Sequence, residues 1–184
     1  MIIMRYSRDY TAAVRARIVR TAAAALRRRG IDGIGIPALM KRAGLTHGAF
    51  YAHFESRDEM VAEAVREAAT QTAERLFASQ HSLAEVTNQY LSAEHVAHPE
   101  DGCVLAALGP EGHRRPAPVK RAFRDAARGM LQLLESRSRP TRRTQAVSDD
   151  TVRRASTMIG AVVLARLVDD ATLANRILTS ARRV

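Results

Sequence analysis

Residues 35–54 read "GIPALMKRAGLTHGAFYAHF", and this stretch decides the fold because it divides into two short helices joined by a tight turn. Gly35 can cap the first of these helices, and Pro37 is tolerated in its first turn, where a helix makes no use of the backbone N–H. Gly44 supplies the permissive backbone of a tight turn, and Thr46 can cap the second helix with its hydroxyl. Two short helices that meet across a glycine-containing turn form a helix-turn-helix unit.

The helix-turn-helix unit has an apolar side and a polar side. The apolar residues that can form a small core with a preceding helix are Ile36, Leu39, Met40, Ala43, Leu45 and Phe50. The outer face then carries Thr46, His47, Gly48 and Tyr51. Hydroxyl groups and imidazole rings hydrogen-bond phosphate oxygens or base edges, and a glycine lets the backbone approach closely. We therefore expect this helix to lie in the major groove of DNA.

Two histidines so close together also raise the alternative of a metal site. His47 and His53 are six residues apart, which does not place them on one face of a helix. Neither a cysteine nor an acidic pair stands nearby to complete a ligand set. We expect no metal here.

An arginine-rich helix is predicted before this unit, from Asp9 to Arg29, with Gly30 as its stop signal. Its apolar positions recur at steps of three and four residues and are Val14, Ile18, Ala22, Ala25 and Leu26. The opposite face, which we expect to be exposed, carries Arg15, Arg17, Arg20, Arg27 and Arg28. Such a face is often simply solvated, but its position beside a helix-turn-helix unit favours contact with an anion.

The composition favours packed helices and an anionic partner. Of 184 residues only 4% are aromatic and none is Trp, so we expect an all-α fold. The net charge is +10, and residues 1–56 contribute +7 of it, from ten basic and three acidic side chains. The chain has no run of about 18 apolar residues, and its N-terminus does not read as a secretory signal. With one cysteine, Cys103, the chain is predicted to be cytoplasmic, without a membrane partner.

Three short motifs resemble the N-terminal DNA-binding domain of the tetracycline-repressor (TetR) family of bacterial transcriptional regulators. They are "AGLT" at 43–46, "YAHF" at 51–54 and "ESRDEM" at 55–60, and the resemblance covers roughly the first 75 residues. It implies an all-α protein with two domains. An N-terminal three-helix helix-turn-helix DNA-binding domain, residues 1–56, would precede a helical effector-binding and dimerisation domain, residues 57–184.

The resemblance also implies the residues that bind DNA, which are Thr46, His47, Gly48, Tyr51, His53 and Arg57. The first three would face the groove, while Tyr51 and His53 would hold the flanking DNA backbone. Arg57 stands where the family usually has a lysine, and an arginine reaches a phosphate as well as a lysine does. The family more often has Ser or Thr at the position of Gly35, so no side-chain phosphate contact is assigned there.

The C-terminal region reads as amphipathic helices that can enclose an effector. Small ligands prefer apolar cavities, and the candidate lining residues are Leu76, Phe77, Tyr90, Leu108, Phe123 and Met130. The same residues can equally pack a core, and the sequence does not separate the two. No cofactor is predicted.

Cys103 is a further effector or sensor candidate. Asp101 and Gly102 precede it as a helix cap, which would put the thiol at a helix N-terminus, where the helix dipole favours a reactive thiolate. The preferred alternative is a small buried apolar residue. A regulatory metal held by His95, His98, Asp101, Cys103 and His113 is disfavoured because their spacing is loose.

The last two helices are the most apolar part of the chain. "MIGAVVLARLV" at 158–168 has few polar positions, and "ATLANRILTSARR" at 171–183 carries an apolar stripe. These helices can be buried within one chain or can pair with their own copy as a four-helix bundle. We expect a homodimer through about residues 151–182, because two recognition helices would then read the two halves of a palindrome.

Together these patterns predict a dimeric, sequence-specific transcriptional regulator, a repressor released from a palindromic operator by a small-molecule or electrophile effector. The alternative is an architectural protein that binds DNA or RNA without sequence preference. An enzyme is not predicted, because the chain has no P-loop, no Ser/His/Asp or Cys/His arrangement and no paired carboxylates in a glycine-rich setting.

Overall fold

The computed structural model describes residues 8–76, 81–139 and 146–183, which form helices and loops without a β-strand among them. The predicted all-α fold is confirmed. In chain order the α-helices are α1 (Arg8–Arg29), α2 (Ile36–Arg42), α3 (Arg57–Leu76), α4 (Leu83–Tyr90), α5 (Ala93–Ala97), α6 (Val104–Gly112), α7 (Ala117–Ser138), α8 (Asp149–Leu167) and α9 (Ala171–Ala181). Short 3₁₀ helices span His47–Ala52 and Pro99–Asp101. None of the helices in this part of the chain is long and apolar enough to cross a membrane.

The N-terminal unit contains α1, α2 and the His47–Ala52 3₁₀ helix. All five apolar positions predicted for α1 are buried, as are Leu39, Met40 and Phe50. Gly35 is the N-cap residue of α2, as predicted. The turn after α1 and the turn after α2 each require a left-handed backbone, which Gly30 supplies with φ of 82° and Gly44 with φ of 68°. The predicted helix-turn-helix is confirmed.

The cap of the second short helix differs from the prediction. Thr46 is its N-cap residue, but the Thr46 hydroxyl accepts no backbone hydrogen bond. The main chain makes the bond instead, because the N–H of Ala49 donates to the carbonyl of Thr46 at 3.2 Å. A 3₁₀ helix bonds each N–H to the carbonyl three residues earlier, so the hydroxyl is not needed and the Thr46 side chain stays exposed.

The predicted arginine face of α1 is only partly exposed. Its members on the surface are Arg17, Arg20 and Arg28. The prediction is wrong for Arg27, which is only 4% exposed. Arg27 lies one turn after the buried Ala23, on the side of α1 that faces α3 and the loop before α6. The charge is buried because hydrogen-bond acceptors from three segments meet there.

Helices α3 and α7 organise the second half of the chain. α3 packs against both α1 and α7, and α6 packs on α7. Leu76, Leu108 and Phe123 are buried in this core. α8 is fastened to α7 at its N-terminus, where the Glu135 carboxylate accepts hydrogen bonds from the N–H and the hydroxyl of Ser148 at 3.0 and 2.7 Å. The predicted domain boundary at residue 56 coincides with the start of α3, a helix that touches both halves, and the division into two domains stays a prediction.

Candidate nucleic-acid interface and effector cavity

The outer surface of the helix-turn-helix is formed by the N-cap residue of the 3₁₀ helix, Thr46, and by three residues within that helix, His47, Gly48 and Tyr51. All four residues are exposed. The exposure of Tyr51 is unusual, because 65% of its surface is accessible to solvent whereas most tyrosines in proteins are at least half-buried. The rings of His47 and Tyr51 meet edge to face with centroids 5.7 Å apart. A Cβ at Gly48 would meet no atom within 4 Å, so packing inside the protein does not require a glycine here. Without a side chain, the backbone at this position can approach a partner closely. We call these four residues the outer surface.

A rigid aromatic base lies beneath the outer surface. Phe50 and Phe54 are 0% and 2% exposed, and their rings stack with centroids 5.3 Å apart. The guanidinium of Arg15 covers the Phe54 ring at 4.2 Å from its centroid. The same guanidinium donates to the carboxylates of Glu59 at 2.6 Å and Glu63 at 2.5 Å, which holds α1 against α3. The outer surface is therefore fixed from behind by α1 and α3.

Two of the predicted DNA-binding residues point into the protein instead of toward the outer surface. Arg57 donates hydrogen bonds to the carbonyls of Ile31 and Ile34 and lies 3.6 Å from the carboxylate of Asp32. It thereby ties the start of α3 to the loop after α1. His53 is half-buried, and burial, together with the charge of Arg15, lowers the pKa of His53 below its ordinary value.

Two cations near the outer surface escaped sequence reasoning. Lys41 and Arg42 form the last turn of α2, just before the Gly44 turn, and both are exposed. Neither makes an ion pair or a side-chain hydrogen bond to another residue in the described ranges. The sequence indicates this position, because two basic residues directly before the turn of a helix-turn-helix lie near its second helix. Their charge is available for phosphate oxygens.

A cavity of about 280 Å³ lies between α3 and α7. Tyr90 on α4 and Cys103, the N-cap residue of α6, form part of its wall, and Met130 lines it from α7. These are three of the predicted effector-contacting residues. Leu76, Leu108 and Phe123 are buried but do not line the cavity. Phe77 lies outside the described residues.

One wall of the cavity is held by a buried histidine. The backbone N–H of Cys103 donates to Nε2 of His95 at 2.9 Å, so the ring carries its proton on Nδ1, which donates to the carbonyl of Tyr90 at 2.7 Å. Burial lowers the pKa of His95 to about 4. The ring lies so close to the main chain that a Cβ at Gly102 would come within 2.7 Å of it.

The helix-turn-helix part of the chain is similar to a known protein family. Residues 18–64, which run from α1 into α3, match the family described as "Bacterial regulatory proteins, tetR family". The match covers 47 of the 184 residues, so it is the N-terminal unit that is similar to this family. No curated protein sequence matches this chain.

Solved structures extend the likeness to TetR-family proteins over nearly the whole chain. The reduced form of NemR from Escherichia coli is 17% identical, with 93% of this chain and 94% of that chain covered and a TM-score of 0.71. A TetR-family transcriptional regulator from Cytophaga hutchinsonii is 16% identical, with coverage of 97% and 96% and a TM-score of 0.73. A protein from Saccharomonospora viridis in complex with choline is 15% identical, with coverage of 94% and 95% and a TM-score of 0.68. At such identities the likeness shows the fold alone: this chain has the same helical fold as these proteins.

The metal ligands considered from the sequence do not come together. Within residues 8–76, 81–139 and 146–183, no three His, Cys, Asp or Glu side chains are close enough to hold a metal ion. His95 and Cys103 are neighbours, but the hydrogen bond between them uses the backbone N–H of Cys103 and not its thiol.

The lowered pKa of His95 predicts a loss of stability in mild acid. Above pH 6.5 His95 is neutral in both the folded and the unfolded protein. Between pH 6.5 and 4 His95 is protonated in the unfolded protein but stays neutral in the folded protein, so the unfolded state is favoured as the pH falls. We expect the wild type to lose roughly 2–3 kcal/mol of unfolding free energy over this window because of His95. Urea unfolding between pH 4 and 8 measures this loss.

The variant His95→Gln isolates the contribution of His95 in this measurement, and His98→Gln is the matched control, because His98 is three residues away and 49% exposed. His95→Gln should flatten the pH dependence, whereas His98→Gln should retain the slope of the wild type. Identical slopes in wild type and His95→Gln would show that His95 is not the group responsible.

Proposed function

We propose that this chain is a dimeric, sequence-specific DNA-binding regulator, a repressor that a small molecule releases from a palindromic operator. The observation that carries the proposal is the outer surface, where hydroxyl, imidazole and phenol groups stand exposed on a base of buried aromatic rings. Polar side chains held rigidly on a protruding helix suit hydrogen bonding to base edges and phosphates. The proposal assigns the chain no enzymatic activity.

In this proposal the six predicted DNA-binding residues divide into two groups. Thr46, His47, Gly48 and Tyr51 contact the DNA directly, since nothing in the described chain covers them. His53 and Arg57 act behind them: the guanidinium of Arg57 fixes the loop after α1, and the His53 ring is half-buried. Lys41 and Arg42 join the first group as phosphate contacts.

The dimer is proposed to form through α8 and α9. Leu164 and Leu167 on α8 are 53% and 75% exposed, and Leu173 on α9 is 38% exposed. Leu164 and Leu173 also line a shared apolar groove together with Ile177. Contiguous exposed apolar residues on two adjacent helices are typical of a subunit interface, and two copies related by a two-fold axis would bury them as a four-helix bundle.

The effector is proposed to act from the cavity on α1. Gly102, next to the cavity residue Cys103, accepts a hydrogen bond from the guanidinium of Arg27 through its carbonyl at 2.9 Å. A ligand that displaces Cys103 therefore also displaces Gly102 and, through its hydrogen bond to Arg27, helix α1, which packs behind the outer surface. Such a ligand favours one of two arrangements of the DNA-binding unit, which is what release from DNA requires.

Two features bear on the chemistry of the effector. The Saccharomonospora viridis protein of similar fold was solved in complex with choline, which supports a small organic molecule as the effector. An electrophile sensor would use Cys103, which is 3% exposed and lines the cavity. An electrophile would reach that thiol only through the cavity, so both readings place the effector in the same space.

Selection of bound fragments from genomic DNA by the purified chain tests the proposal. We expect a palindromic site to emerge at moderate salt, where the non-specific binding of a +10 protein is weak. Tyr51→Ala should then weaken binding to that site about tenfold or more while the fold is retained. Sequence-indifferent, salt-sensitive binding, or full affinity in Tyr51→Ala, would contradict the proposal and favour the architectural alternative.

The two lysines of the chain provide a charge-matched control for that experiment. Lys41 and Lys120 are both exposed, but only Lys41 lies beside the helix-turn-helix. Lys41→Gln should reduce the slope of log affinity against log salt by about 1 per subunit. Lys120→Gln should leave the slope unchanged, and equal effects of the two variants would mean that DNA does not contact the predicted face.

The proposed dimer interface is tested at Leu164. Leu164→Glu puts a charge into the centre of the apolar groove, so we expect a monomer in sedimentation equilibrium at micromolar concentration, where the wild type is a dimer. Leu164→Met conserves volume and should remain a dimer. A monomeric wild type, or a Leu164→Glu variant that remains dimeric, would show that this face is not the interface.

A further inference from the structure

We propose that the cavity between α3 and α7 binds a compact, uncharged, mainly apolar molecule with one hydrogen-bond-accepting oxygen, and that the Tyr90 hydroxyl donates to this oxygen. The inference deepens the proposed function, on which it rests, by naming the chemical class of the effector. Three features of the cavity carry it: an unpartnered hydroxyl, the absence of an available charge at the buried end, and an apolar wall with an unfilled position.

The unpartnered hydroxyl belongs to Tyr90, which is 0% exposed and lines the cavity. No atom in the described parts of the chain makes a hydrogen bond of good geometry with it. The Cys103 thiol lies beside it, but a thiol is a weak acceptor. Buried hydroxyl groups are normally hydrogen-bonded, because an unmade bond is unfavourable once water is excluded. A ligand oxygen in the cavity would supply the missing acceptor.

The buried end of the cavity favours an uncharged ligand. Burial and the neighbouring thiol raise the pKa of Tyr90 well above its ordinary value, so the hydroxyl stays protonated and acts as a donor. The nearby cations are already engaged: Arg27 donates to the carbonyl of Gly102, and Arg166 donates to the carbonyls of His95 and Val96. The two charged residues of the cavity lining, Arg66 and Asp125, are both exposed to solvent. At the buried end beside Tyr90, therefore, a carboxylate would find no unused cation and an ammonium group would find no acidic partner. A carbonyl, ether or similar oxygen suits the site.

Most of the remaining wall is apolar and leaves room for the body of the ligand. It consists mainly of Ala69, Ala73, Ala122, Ala126, Met130 and Leu133. Gly129 lies in the middle of α7 on the same wall, where a Cβ would meet no atom within 4 Å. Glycine within a helix lowers helix stability, and here no close packing requires it. The volume of about 280 Å³ is at the lower end of small-molecule sites, roughly 300–1,000 Å³, which selects a compact ligand.

The test uses two probes, acetophenone and ethylbenzene, which differ by a carbonyl group in place of a methylene group, with the full-length protein and without DNA. Isothermal titration calorimetry measures both dissociation constants. We expect wild type to bind acetophenone roughly three- to tenfold more tightly than ethylbenzene, which is the contribution of one net hydrogen bond.

Tyr90→Phe removes only the hydroxyl and should abolish that preference without weakening the binding of ethylbenzene. The variant should unfold at the same temperature as wild type or higher, because the hydroxyl it loses has no protein partner. Gly129→Leu fills the cavity and should weaken both probes more than tenfold, since the side chain and a probe cannot share so small a space. Gly129→Ala, which leaves most of the volume open, is the matched control and should bind both probes.

Three results would overturn the inference: no binding of either probe by the wild type, the same preference in Tyr90→Phe as in wild type, or undiminished binding by Gly129→Leu. Because the titrations contain no DNA, their outcome is independent of the selection experiment. Failure of the titrations would leave a sequence-specific DNA-binding protein with a different effector. Failure of the DNA selection would leave a ligand-binding cavity without the proposed regulatory function.

Discussion

The buried guanidinium of Arg27 is the constraint on which the relation between the two halves of the molecule depends. It donates to the carbonyl of Ala23 at 3.1 Å, to the side-chain oxygen of Gln71 at 2.7 Å and to the carbonyl of Gly102 at 2.9 Å. Burial lowers the pKa of Arg27 to about 10, so it remains charged near neutral pH. A buried charge is tolerated only where its hydrogen bonds are made. Helices α1 and α3 and the loop before α6 must therefore keep their relative positions for Arg27 to be accommodated.

The cavity and the outer surface are joined through this constraint. Gly102 connects Arg27 to Cys103, and the N–H of Cys103 is held by His95, whose own carbonyl accepts from Arg166 on α8. Nearer the N-terminus of α1, the guanidinium of Arg15 packs over the ring of Phe54, which lies beneath the outer surface. α1 thus contacts Phe54, beneath the outer surface, through Arg15, and it contacts Gly102, next to the cavity, through Arg27. A rigid helix with contacts at both ends is a physical route for coupling two sites.

Local patterns in the sequence predicted most of the fold, and side-chain partners distant in sequence account for the errors. The steps of three and four in α1 and the glycines at 30 and 44 specify the N-terminal unit without reference to the rest of the chain. Arg27 was misplaced because its partner Gly102 is 75 residues away. The carbonyl partners of Arg57, in the loop after α1, were not evident from the sequence either, and its contact with DNA stays a prediction. Of the predicted effector residues, Tyr90 and Met130 line the cavity whereas Leu108 packs the core. An apolar residue that lines a cavity and one that packs in the core look the same in the sequence, since only the packing of the helices determines where a cavity remains.

Amide hydrogen exchange at residues 99–105 in wild type and Arg27→Met tests the central claim most directly, with Arg29→Met as control because Arg29 is exposed on the same turn of α1. If Arg27 joins the N-terminal unit to the cavity wall, its loss should accelerate exchange in this distant segment, as the contact with Gly102 is released. Arg29→Met should leave the segment protected. Two results would contradict the claim that Arg27 couples the outer surface to the cavity. One is faster exchange in Arg27→Met within α1 only, and the other is exchange at residues 99–105 that is no faster in Arg27→Met than in Arg29→Met.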